Sequence, residues 1–215
     1  MRSLLDGLGP APRLVVLGAH SDDIEIGCGG TVLELAARHP DASVEWVVFS
    51  AVGERAEEAG RSAADFCAGL DLHVDVCAFP ENHFPWHGPG LKAHLEEVRR
   101  RGEPDLVLTH WREDAHQDHR TLGELALNTF RDQLVLEYEI PKFDGDLGRP
   151  TVYSVLRREV VDRKVELLMK HFASQQSRSW FEPEVFRSLL RLRGVECVAD
   201  SGYAEAFHPR KLRLL

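Results

Sequence analysis

The sequence predicts an α/β protein built on a mostly parallel central sheet, and three observations carry that expectation. Short apolar, β-branched runs alternate with amphipathic helical patterns as far as residue 133. That alternation requires right-handed crossovers between parallel strands. The chain has 215 residues, which suits one such domain over 1–215. Two of the strand ends also carry clusters of histidine and aspartate, and in open α/β sheets chemistry collects at the carboxyl ends of strands.

Taken in order, residues 1–12 hold Gly7, Gly9, Pro10 and Pro12 and read as a loose leader. Leu14-Val15-Val16-Leu17-Gly18 predicts a first strand over 13–18, and Val32, Leu33, Leu35 and Ala36 give the apolar face of a helix over 29–37. After Pro40 and Asp41 comes a second strand over 44–50. Gly53-Glu54-Arg55-Ala56-Glu57-Glu58 opens a helix with acids in its first turn, where the dipole favours them, and it runs to about Gly69. A third strand over 73–79 ends in Pro80-Glu81-Asn82-His83-Phe84-Pro85-Trp86-His87-Gly88, a stretch suited to a pocket wall. A helix over 91–101, a strand over 105–109 and a helix over 121–133 follow. Residues 134–150 suit an active-site loop more than a linker. A strand over 151–156 and helices over 162–172 and 183–192 complete the pattern.

Composition narrows the function. At 43% hydrophobic and 28% charged the chain is ordinarily globular. A net charge of −9 and a pI near 5.7 disfavour nucleic acid and anionic membranes as partners. Cys28, Cys67, Cys77 and Cys197 form no CxxC pair, so they read as buried or inert thiols of a cytoplasmic protein. The amino terminus lacks the apolar core of a signal peptide, and no run approaches the roughly 20 apolar residues of a spanning helix.

The two clusters are Ala19-His20-Ser21-Asp22-Asp23-Ile24-Glu25 and Asp114-Ala115-His116-Gln117-Asp118-His119. Singly, an Asp-Asp after a strand serves as a helix cap, and paired histidines are common on surfaces. Together they supply what a catalytic metal site requires: three protein ligands and an open position. His20, Asp23 and His119 fit that ligand set for Zn²⁺, and equally for Fe²⁺. Asp22, adjacent and spare, is placed to act as a general base toward water on the ion. His116 could face an oxyanion or protonate a leaving group, and Asp118 could hold a histidine ring in one tautomer. Glu25 reads either as support for the ligands or as a first-turn acid. Gly27, Gly29 and Gly30 lack phosphate-loop spacing and fit close helix-to-strand packing better.

These residues resemble the PIG-L/LmbE family of metal-dependent N-deacetylases, whose signature is an A-H-x-D-D-x-E stretch after the first strand and a later H-x-D-H. Serine stands here at Ser21 and glutamine at Gln117, where proline is commoner. The similarity extends to Gly53-Glu54-Arg55 with Glu58, Leu106-Val107-Leu108-Thr109, Ser174-Gln175 and Ala204-Glu205-Ala206-Phe207. The resemblance implies a Rossmann-like three-layer fold without a nicotinamide cofactor. It implies hydrolysis of an N-acetyl group on an amino sugar or small glycoside to acetate and a free amine. His20, Asp23 and His119 match its metal ligands, Asp22 its base, and His116 its oxyanion stabiliser with Asp118 orienting it. Arg55 falls near a position that contacts the sugar or its substituent.

Substrate contacts are the least determined. Trp86, Trp111, His83 and Tyr138 lie where they could form an aromatic platform, or simply pack their loops. Arg112 could pair with a phosphate or carboxylate, or be neutralised by Glu113 and Asp114. A nucleotide sugar, pseudodisaccharide, antibiotic precursor or thiol-biosynthesis glycoside fits as the small-molecule partner, and a homo-oligomer is an open expectation. An amidase acting on a larger acyl group or thiol conjugate, and a sugar-binding module without catalysis, are the competing readings.

Overall fold

The computed structural model describes residues 7–212, so the first half of the expected leader lies outside the described residues. Strand β1 (Arg13–His20) pairs in parallel with β2 (Ser43–Ser50) on one side and β4 (Leu106–His110) on the other. β3 (Asp71–Val76) extends the sheet beyond β2, and β5 (Leu134–Tyr138) extends it beyond β4, both in parallel. β7 (Ala204–Pro209) and β6 (Val152–Val155) then close that edge antiparallel, giving the order β3-β2-β1-β4-β5-β7-β6.

The alternation of side chains along β1 builds the layers. Leu14 and Val16 join the cluster on one face with α1 (Asp23–Arg38), α2 (Glu54–Phe66) and α5 (Arg158–His171). Val15 and Leu17 join the other with α3 (Gly88–Arg100) and α4 (Gln117–Thr129). The expected three-layer, mostly parallel architecture is therefore present. α6 (Pro183–Glu196) packs on α5 and β7.

Several boundaries differ from the sequence reading. α1 begins at Asp23 rather than at 29, because helix-disfavoured glycine is needed inside it for close packing. A Cβ on Gly27 would lie 2.1 Å from the Tyr138 ring, and one on Gly30 would lie 2.5 Å from Leu156. Beside Gly30, buried Glu205 accepts from the Gly30 and Thr31 amides at 2.7 Å and from Lys164 Nζ at 2.6 Å, fastening α1 to β7 and α5. α4 starts at Gln117 rather than 121, so the second motif is a helix's first turn. The start of the expected 134–150 loop is strand β5, whose interior Glu137 masks the apolar pattern, and β7 was not anticipated as a strand.

Candidate metal centre and active site

Strand order reverses between β1 and β4, which is where an open α/β sheet presents a crevice at its carboxyl end. His20 closes β1 and His110 closes β4 at that point. Three residues after His20, Asp23 opens α1 and folds back, its Oδ2 accepting from the His20 amide at 2.7 Å. His116 is the N-cap of α4 and His119 lies in its first turn. Their rings stack at 4.6 Å, beside His20 at 5.0 and 5.2 Å.

Two imidazoles and one carboxylate converge, each imidazole nearest a different oxygen of Asp23. His20 Nδ1 lies 3.3 Å from His119 Nε2 and 3.3 Å from Asp23 Oδ2, while His119 Nε2 lies 3.5 Å from Asp23 Oδ1. Bonds of about 2.0–2.1 Å in tetrahedral array place ligand atoms about 3.3–3.4 Å apart. The far nitrogen of each ring is committed elsewhere: His20 Nε2 to Asp118 Oδ2 and His119 Nδ1 to Asp114 Oδ2, both at 3.1 Å. A neutral imidazole that donates outward presents a bare lone pair inward. Two such nitrogens and a carboxylate oxygen facing one another repel unless a cation lies among them, so the donor set fits a divalent metal.

The electrostatics agree. Burial alone would lower His20, but Asp23 and Asp118 outweigh it and push its pKa up to about 10. The field that does so favours any cation at Nδ1, proton or metal. Asp23 is held well below the carboxylate range, burial being outweighed by His119, His110 and His20. Burial and neighbouring His110 take His119 down to about 3, keeping it neutral. Asp22 rises to about 6 through burial and the charge of Asp23, opposed by Arg55. His116 is lowered by burial and by His20; its Nδ1 accepts the Asp118 amide at 3.2 Å, which leaves Nε2 as its N–H donor.

The structure brings together His20, Asp22, Asp23, His116, Asp118 and His119. One expected role is corrected. The Asp118 carboxylate does not orient His116; it accepts from His20 Nε2 and from the Asn82 and Phe84 amides at 2.6 and 3.0 Å. The reason is helical: residues two apart do not face each other, so Asp118 points toward the 80–87 loop. Tyr138 is corrected too. Its ring is fully buried under Gly27, and its hydroxyl donates to the Leu17 carbonyl at 2.6 Å, so it offers substrate no surface.

Arg55 reaches the site differently from expectation, donating to Ser21 Oγ at 3.0 Å, to Asp22 Oδ1 at 3.4 Å and to Glu81 at 3.1 Å. Trp111 stacks flat on His208 at 4.4 Å. Arg112 leans on buried Glu137 rather than on Glu113 or Asp114, its amide 3.1 Å and its guanidinium 3.7 Å away.

Sequence reasoning missed His110, which sits 3.1 Å from Asp23 Oδ2 and stacks on His119 at 4.0 Å. A histidine ending a strand beside the first motif's strand was the available signal. It read Asp114 only as a neutraliser of Arg112, whereas Asp114 holds His119 and is itself held by Lys142 Nζ at 3.0 Å. Both motif departures also make bonds: Ser21 accepts from Arg55, and the Gln117 amide donates to the Asn82 carbonyl at 2.9 Å.

A family model described as PIG-L, GlcNAc-PI de-N-acetylase, matches residues 15–130, which include both motifs. Several solved structures share the fold. N,N'-diacetylchitobiose deacetylase from Pyrococcus horikoshii is 18% identical, with TM-score 0.72, over 93% of this chain and 84% of that one. The zinc-inhibited form of teicoplanin deacetylase Orf2 is 15% identical, with TM-score 0.69, over 92% and 97%. GalB, the 4-carboxy-2-hydroxymuconate hydratase from Pseudomonas putida, is 19% identical, with TM-score 0.73, over 95% and 98%. At these identities the likeness is one of fold. No curated protein sequence matches this chain.

Proposed function

The chain belongs to the PIG-L family, and on that premise we propose that it is a zinc-dependent N-deacetylase acting on an amino sugar or small glycoside. One observation carries the reading: two imidazoles, their outer nitrogens tied down, face each other at 3.3 Å with the Asp23 carboxylate 3.3 Å from one and 3.5 Å from the other, close to the spacing of ligands around one ion. His20, Asp23 and His119 would hold the ion, zinc by preference, with ferrous iron compatible with the same donors. When bound, such an ion lowers the pKa of water to about 7 and polarises a carbonyl oxygen.

This chain's own groups do the rest. Asp22, held near 6, is the carboxylate that takes the proton of the attacking water. The His116 Nε2–H donates to the oxyanion that develops on the acetamide carbonyl, an interaction worth about 3–4 kcal/mol in comparable sites. Water adds to the carbonyl carbon, the C–N bond breaks, and Asp22 or His116 returns a proton to the amine. Acetate and a free amine leave. Asp118 and Asp114 fix the rings of His20 and His119 without touching substrate. Arg55 and Trp111 remain proposed as sugar contacts and Arg112 as a contact to an anionic substituent.

The names of the deacetylases with this fold support an N-acetylated glycoside as substrate, and no helix among the described residues is long and apolar enough to cross a membrane. The test is metal analysis of the purified protein together with amine and acetate release from a panel of N-acetylated sugars and glycosides. Zinc near one equivalent at the site and equimolar amine and acetate are expected. Absence of amine release across the panel, with hydration of an unsaturated hydroxy acid instead, would overturn the deacetylase reading in favour of the chemistry named for GalB.

A further inference from the structure

A second group of metal-type side chains lies away from the catalytic crevice, between the end of β3 and the second turn of α3. Cys77 leaves β3 one residue past its end, and Asp75 sits two before it on the same strand face. His94 faces them from α3. Cys77 Sγ is 3.3 Å from His94 Nε2, His94 Nε2 is 3.0 Å from Asp75 Oδ2, and Cys77 Sγ is 3.9 Å from Asp75 Oδ1. Zinc bonds of about 2.3 Å to sulfur and 2.0–2.1 Å to nitrogen or oxygen place nitrogen and oxygen about 3.3–3.4 Å apart and sulfur about 3.6 Å from either, so shifts of a few tenths of an ångström would seat an ion here.

The group is held in position from several sides. The Cys77 amide donates to the Val48 carbonyl at 2.7 Å, and its own carbonyl accepts from Ala51 at 3.0 Å. The His94 ring stands edge-on to Phe49 at 5.5 Å, and Glu97 Oε2 lies 3.7 Å from its Nδ1, so Nε2 is the atom turned toward Cys77. Arg101 pairs with Asp75 Oδ2 at 2.8 Å, which balances charge and leaves Oδ1 toward the sulfur. His94 and Asp75 are 18% and 19% exposed, so an ion has a path in.

We propose that Asp75, Cys77 and His94 form a second binding site for a thiophilic divalent cation of the zinc class, with solvent completing the coordination. Thiolate with imidazole selects zinc over magnesium or calcium. Burial and Asp75 push the free Cys77 thiol up to about 12, so without an ion this cysteine is a poor nucleophile. On binding, the S–H proton passes to solvent and the sulfur lone pair forms the metal bond; no oxidant is involved. The consequence is mechanical. The ion would tie β3 to α3, the two elements that flank the loop whose Asn82 and Phe84 amides hold Asp118.

This inference is independent of the deacetylase reading, and a spectroscopic probe keeps the two sites apart. The metal-stripped protein is titrated anaerobically with cobalt(II) chloride. Thiolate-to-cobalt charge transfer in the near ultraviolet marks only a site with a cysteine ligand, and His20, Asp23 and His119 include none. The band is expected to be complete by two cobalt per chain in the wild-type protein and by one in H119A, and to vanish in C77S and H94Q. Zinc should also raise the melting temperature of H119A more than that of H119A/C77S. Cobalt binding without the band would overturn the proposal. A band that survives C77S would overturn it too, by placing the thiolate at Cys28, Cys67 or Cys197. If C77S fails to fold, H94Q alone decides the matter with the thiol intact.

Discussion

Replacing Asp118 by asparagine separates the role the structure gives this residue from the one the sequence suggested. The carboxylate accepts three bonds: from His20 Nε2 at 3.1 Å, from the Asn82 amide at 2.6 Å and from the Phe84 amide at 3.0 Å. An asparagine oxygen in the Oδ2 position keeps the first two, but its NH₂ then meets the Phe84 amide, donor against donor. One buried amide left unpaired costs about 1–3 kcal/mol. Charge-assisted bonds are roughly twice as strong as neutral ones, so losing the charge weakens the remaining pair as well. Together these give about 2–4 kcal/mol of lost folding stability. Loosening a ligand ring's outer partner costs a further 10–100-fold in metal affinity, as a rule of thumb. Denaturant melts give the first quantity and a chelator-competition titration with zinc gives the second. An Asp118→Asn protein with wild-type zinc affinity and a lowered turnover number would refute the reasoning, because that is the outcome if Asp118 served His116 rather than His20.

Four further outcomes follow from the same geometry. Asp22→Asn should abolish turnover while zinc at the catalytic site stays near one per chain; loss of that zinc would contradict the base assignment. His119→Ala should lose catalytic-site zinc on gel filtration against a chelator, and undiminished occupancy there would remove His119 from the ligand set. Arg55→Ala removes a positive charge that lowers the Asp22 pKa, so the acidic limb of the kcat/KM profile should move to higher pH; a shift to lower pH, or none, would sink the coupling. Gly27→Ala drives a methyl to within 2.1 Å of the Tyr138 ring and should destabilise the protein by about 3 kcal/mol or more, read by chemical denaturation; a melt unchanged from wild type would mean that α1 and β5 are not packed this closely.

Much of this protein was legible in its residues. Apolar β-branched runs separated by helical patterns fixed the parallel sheet, because period and connection length leave few topologies open. His20, Asp23 and His119 were nameable as ligands from residue type and placement after strands, since metal chemistry admits few side chains. The tertiary structure alone decided what reached them from elsewhere. His110 arrived from a neighbouring strand, Asn82 and Phe84 contributed backbone amides that carry no sequence signature, and Tyr138 was carried under α1 by the absence of a side chain at Gly27. Asp118 was misjudged because neighbours in a motif are not neighbours on a helix: a step of two residues turns a side chain to the far side. Identity of chemistry is local and survives in sequence, whereas partnership is set by where the folded chain brings distant backbone and side chains together.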